Sequence, residues 1–187
     1  MEQLEKFDEY VKAFEDEYGE VDKALNKLFK KTYPKNTSFE DVVIKVLALD
    51  NYYSTNLKEE QIRIITNLII QNQDIDKQLE NGERCVVDYI GKTKPGVKNA
   101  YVFASKYCSF HKPDKYIVFD KYSWMAMHDL FDKGIIKSNI PKYGSKSMDF
   151  GAYKLYCGCM DELKKTYFLN ECYKKIDEFL WTYGKDL

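Results

Sequence analysis

Histidine is nearly missing from this 187-residue chain, which has only His111 and His128, and so is net charge, since 29 lysines and arginines meet 30 aspartates and glutamates. The first shortage leaves no His-x3-His ligand pair. Cys157-Gly-Cys159 is also one residue too close for the usual CxxC knuckle, so no zinc site is expected. The second means that the chain as a whole sets no preference for an acidic or a basic partner. Long apolar runs are missing too: the longest nearly apolar stretch, Ile62 to Ile70, is interrupted by Arg63, Thr66 and Asn67 and falls far short of a bilayer. The opening residues, Met1 to Tyr10, are charged where a signal peptide would be apolar, and five cysteines is an odd number. Together these absences predict a reduced, cytosolic protein with no membrane partner.

Apolar residues make up 44% of the chain and charged residues 32%, enough to bury a core. Their spacing is helical nearly throughout. Leu4, Phe7, Val11 and Phe14 form one stripe that Gly19 should end, and Val21, Leu25, Leu28 and Phe29 form the next. Ser38 reads as the N-cap of a buried helix with Phe39, Val42, Val43, Val46, Leu47 and Leu49 on its apolar face. Residues 50–56 then read as a polar turn. Further helices are predicted at 57–71, 73–80, 83–90, 97–108, 121–131, 150–167 and 169–183, with loops at 109–115 and 133–147. No internal repeat and no alternating strand pattern is present. The fold class is therefore all-α, with residues 1–187 as a single multi-helix domain.

Charge is unevenly spread. Residues 91–147 hold eleven lysines and four acids, a net +7, while residues 1–90 come to −7 and residues 148–187 to −1. Either a polyanion-facing segment or an ordinary solvated lysine-rich surface would give this pattern.

The same segment carries Pro95-Gly96-Val97-Lys98-Asn99-Ala100-Tyr101, a helix, a proline-containing loop with His111, and then Ile117-Val118-Phe119-Asp120-Lys121-Tyr122-Ser123-Trp124. From Pro95 to Met127 this order resembles the helix-hairpin-helix DNA glycosylase superfamily, in which a Pro-Gly-Val-Gly type hairpin opens a helix and a short apolar run ends in the catalytic aspartate. The resemblance implies that Asp120 is that aspartate and that DNA, duplex or single-stranded, is the partner. Lys94, Gly96, Val97, Lys98 and Lys121 would then lie at the phosphates. A fainter echo at 48–56 would bring Tyr52 and Tyr53 to the lesion, and His111 would reach a phosphate or a base edge; a solvent-exposed loop histidine is the plainer alternative.

Lys98 stands where the hairpin pattern has a second glycine, and a side chain there obstructs close backbone approach to phosphate. The aligned positions of the family's nucleophilic lysine hold Ala100 or Tyr101, which leaves Lys98 as the nearest substitute and favours a monofunctional enzyme. No four-cysteine set follows Cys159, so no iron–sulfur cluster and no other cofactor is expected.

Chemically, cleaving an N-glycosidic bond builds positive charge on the sugar, which an ionised carboxylate held beside it stabilises. Aspartate is equally one of the best helix N-caps, so Asp120 has either role open to it. The expected function is excision of a damaged or modified base. The alternatives are a non-catalytic nucleic-acid-binding or regulatory protein on the same scaffold, or an interaction protein with no nucleic acid.

Overall fold

A computed structural model describes residues 2–92, 99–141 and 149–187. Every regular element among them is helical. They are α1 (Glu2–Glu5), α2 (Phe7–Lys27), a π-helical turn (Leu28–Thr32), α3 (Phe39–Tyr53), α4 (Glu59–Gln71), α5 (Ile75–Asn81), α6 (Cys85–Gly91), α7 (Tyr101–His111), α8 (Lys121–Asp132), α9 (Phe150–Tyr167) and α10 (Tyr173–Lys185). The all-α expectation holds. The chain forms two compact units: one combines residues 1–20 with 117–187, and the other is the continuous segment 21–116.

The first unit joins the two ends of the chain through aromatic packing. Phe7 stacks on Phe168 at 4.4 Å and touches Phe179 at 5.3 Å, while Phe14 meets Trp181 edge-on at 5.4 Å. These are residues of the first predicted stripe, here packed against Phe168 and the aromatic residues of α10. In the same unit α8 and α10 lie so close at Gly184 that a Cβ there would overlap the Tyr122 carbonyl oxygen.

The central unit packs α3, α4, α6 and α7 around Val46, Leu49, Ile65, Ile69, Val87 and Ile90, all buried. Gly82 breaks α5 from α6 as expected, at a φ of 74° that only glycine adopts freely. Ser38 caps α3 as predicted, its hydroxyl accepting from the Asp41 N–H at 3.2 Å.

Four local expectations are corrected. Gly19 does not end the first helix. A glycine costs only roughly 1 kcal/mol in a helix interior, and the stripe continues past it to Leu25 and Phe29. Helix α3 runs on to Tyr53, so the polar turn begins at Ser54. On α3 the buried positions are Val42, Lys45, Val46 and Leu49, whereas Phe39 and Leu47 are 42% and 47% exposed. Finally, α7 begins at Tyr101 and ends at His111, so His111 is helical rather than part of a loop.

Candidate functional site

Tyr116 to Phe119 is a fully packed, non-helical run that delivers the chain to Asp120, the N-cap of α8. Phe119 stacks on Tyr156 of α9 at 4.8 Å, and the Tyr153 hydroxyl donates to the Ile117 carbonyl at 3.2 Å, which fixes the run. Oδ1 of Asp120 accepts from the Ser123 N–H at 3.1 Å. The Ser123 hydroxyl in turn donates to Oδ1 of Asp177 on α10 at 2.7 Å. Asp120 is 7% exposed, Asp177 4% and Ser123 0%.

Close by, the Tyr156 hydroxyl is buried beside the Ser123 side chain. Burial first, and then the charges of Asp177 and Asp120, push this phenol well above its ordinary range. The arrangement holds one carboxylate at a helix N-terminus, with a second carboxylate and a buried phenol close by.

Capping alone does not set Asp120 apart. Asp149 begins α9 with nearly the same backbone, φ −130° and ψ −177° against −130° and −179°, and accepts from the Ala152 N–H at 2.8 Å. What differs is burial, since Asp149 is exposed, and the neighbourhood of Ser123 and Asp177. Lys121, the next predicted contact, is exposed at the first turn of α8. The hairpin residues Lys94, Gly96, Val97 and Lys98 lie outside the described residues.

The other predicted contacts belong to the central unit. The Tyr53 hydroxyl donates to Oδ1 of Asp22 at 2.5 Å, and the Lys106 ammonium sits 4.4 Å above the Tyr53 ring. Tyr52 meets Tyr53 edge-on at 4.9 Å. The turn that follows is tight: Ser54 and Asn56 both take positive φ, 47° and 58°, and Oδ1 of Asp50 binds the Thr55 hydroxyl and the Leu57 N–H. His111 is not the exposed loop residue expected as the plainer alternative. Its ring packs against Phe29 at 5.1 Å and Tyr107 at 5.2 Å, and Nε2 is buried without a partner. Burial, reinforced by the Lys45, Lys112 and Lys30 charges, holds its pKa well below the usual histidine range, so it brings no cation to a phosphate.

Sequence reasoning missed Lys45. It falls on the buried face of α3 between Val42 and Leu49, and its side chain is 0% exposed. Its ammonium donates to the carbonyls of Tyr33 and Lys35 at 3.0 and 2.9 Å and to Oδ1 of Asn36 at 2.6 Å. The Tyr107 hydroxyl donates to the same Asn36 oxygen at 2.5 Å, and Asn36 Nδ2 donates to Asp76 at 2.6 Å. Burial pushes the ammonium down to about 8, against the charges of Asp76 and Asp41. The one available signal was a lysine in phase with the apolar stripe of α3.

This hub backs a cleft of about 510 Å³ lined by residues of the π-helical turn, the 33–36 loop, α5 and the end of α7. No group of three or more His, Cys, Asp or Glu side chains among the described residues is placed to hold a metal ion. None of the described helices is long and apolar enough to cross a membrane.

Residues 1–115 match the family described as HI_0787_N, N-terminal domain. An uncharacterized protein of Haemophilus influenzae is 26% identical over 155 residues, which cover 81% of this chain and 70% of that protein. No solved structure matches the chain.

Proposed function

This chain belongs to the HI_0787_N family, and on that premise we propose that it is a monofunctional DNA glycosylase-like protein, excising a damaged or modified base with Asp120 as the working carboxylate. The family carries no stated activity, so the reading rests on the chain's own residues. The observation that carries it is the order helix α7, buried non-helical run, capping Asp120, helix α8, with the carboxylate held by the Ser123 N–H and Ser123 held by Asp177.

In the proposed reaction the bond from the sugar C1′ to the base nitrogen breaks, and the base leaves with the electron pair. Water adds to C1′, one of its protons passes to the departing base, and an abasic site remains. Asp120 stabilises the positive charge that builds on the sugar and orients the water. The absence of lysine at positions 100 and 101 favours release of the base without strand cleavage, because no Schiff base forms there.

A second reading, a nucleic-acid-binding protein without chemistry, is favoured by the 7% exposure of Asp120 and by the matching cap at Asp149. Asp120→Asn separates the two. The substitution keeps shape and capping ability and removes the charge, so under the first reading base release from modified oligonucleotides collapses while folding and DNA binding persist. Full base release by the Asn variant removes Asp120 from catalysis. Borohydride treatment during turnover is expected to trap no protein–DNA adduct; an adduct overturns the monofunctional reading and points to Lys98.

A further inference from the structure

We propose that Asp177 is a positioning residue for Asp120: acting through Ser123, it fixes where the Asp120 carboxylate stands at the start of α8. The role rests on the base-excision reading and adds to it a residue that α10 supplies from 54 positions beyond Ser123. Asp177 meets no reacting atom. It acts on Ser123, and Ser123 acts on Asp120.

Ser123 lies in the first turn of α8 and is wholly buried. Its two donors go to two different carboxylates, the backbone N–H to Oδ1 of Asp120 at 3.1 Å and the hydroxyl to Oδ1 of Asp177 at 2.7 Å. The N–H that aims Asp120 is thus tied to α10. Asp177 is in turn held by the seating of α10 on α8, because Gly184, about two turns further along α10, lies so close to α8 that a Cβ would overlap the Tyr122 carbonyl oxygen. The residue next to Tyr122 is Ser123 itself.

A helix cap does not need this support. Asp149 starts α9 with nearly the same backbone dihedrals and a cap bond of 2.8 Å, and it is exposed. Around Asp120 the protein instead buries a second acid, at 4% exposure, and sets the Tyr156 phenol beside the Ser123 side chain. Desolvating two acids around one serine is a poor way to hold helices together, since apolar residues of similar size do so as well or better. What the arrangement supplies is direction. A group that must meet one sugar carbon has to be held to within about half an ångström, and hydrogen bonds behind it do that.

Steady-state base release from DNA oligonucleotides, each carrying one uracil, one methylated adenine or one oxidised guanine, tests the role. Asp177→Ala is expected to lower kcat at least about tenfold and to leave KM within about twofold, because DNA still binds while the carboxylate is no longer aimed. Asp177→Asn, whose amide oxygen still accepts from the Ser123 hydroxyl, is expected to bring kcat back to within about threefold of the parent. Ser123→Ala keeps the capping N–H and removes only the hydroxyl, so it breaks the same link with a smaller change and decides the matter if Asp177→Ala does not fold. Its kcat should fall as far, and the double variant no further, since the two residues act as one unit. The role is overturned if the Ala variants keep the parent's kcat, if the loss is in KM alone, if Asn does no better than Ala, or if the serine and aspartate losses multiply. Each of these leaves base excision by the parent standing. A parent that releases no base from any of the three substrates instead overturns the base-excision reading, and this role with it.

Discussion

At the scale of single residues, Lys45 and Asp120 are both buried charged groups, yet their surroundings ask different things of them. Lys45 has three acceptors and no solvent, so Lys45→Met takes this donor from the Tyr33 and Lys35 carbonyls and leaves the Asn36 oxygen with Tyr107 alone. A loss of about 3 kcal/mol is expected, measurable as a lower urea midpoint. The deficit should also depend on pH. The ammonium titrates at about 8 in the folded chain against 10.5 for an ordinary lysine, so between those values the unfolded chain holds more protons than the folded one. Parent stability therefore rises as pH climbs from about 8 to about 10.5, and is lost again as pH falls back through 8. The Met variant lacks this rise, and the gap between the two should widen over that window. Equal slopes for parent and variant would show that Lys45 is not the group responsible. For Asp120, Asn is expected to leave the thermal midpoint nearly unchanged, whereas Ala should cost roughly 0.5–2 kcal/mol through loss of the cap.

At the scale of helices, two glycines make opposite predictions. Gly184→Ala on α10 drives a methyl into the Tyr122 carbonyl, a backbone atom that cannot swing aside, and should cost about 3 kcal/mol or more. Gly158 on α9 has nothing within 4 Å of its would-be Cβ and is exposed, so Gly158→Ala should stabilise by up to about 1 kcal/mol through helix propensity. Thermal unfolding followed by circular dichroism reads both, and a stable Gly184→Ala protein would refute the close α8–α10 approach.

Helices were also the most legible level of the sequence. The spacing of Phe7, Val11 and Phe14, the Ser38 cap and the break at Gly82 were all readable, because each is local chemistry acting within one or two turns. The course of α2 through Gly19 was not, since partners for Leu25 and Phe29 outweigh a modest local preference. Nor was the burial of Lys45, whose partners are the Tyr33 and Lys35 carbonyls of a loop that leaves no side-chain signature. Asp120 could be located as a cap from sequence, but its link through Ser123 to Asp177 spans 54 residues and depends on tertiary packing.

For the molecule as a whole, the +7 segment is less available than its lysine count suggests. Lys106 is buried over the Tyr53 ring, Lys112 pairs with Glu80, Lys115 donates to the Glu80 carbonyl, and Lys133 pairs with Asp129. Besides the paired Lys133, the exposed lysines among the described residues of that segment are Lys92, Lys121 and Lys137. Reversing these three to Glu is expected to weaken DNA binding equally for all sequences. Each lysine that meets a phosphate should flatten the log–log salt dependence on duplex DNA by about 0.9. A triple variant with unchanged salt dependence would place the nucleic-acid surface elsewhere.

The pairing of the first twenty residues with residues 117–187 also bears on how the chain is made. On a ribosome, the stripe of Phe7 and Phe14 emerges long before its partners Phe168 and Trp181 are made. The segment 21–116 finds its contacts as it appears. Helix α2 instead stays exposed to chaperones and proteases until α10 has been made, so the vulnerable interval in this protein's life is set by the arrival of α10.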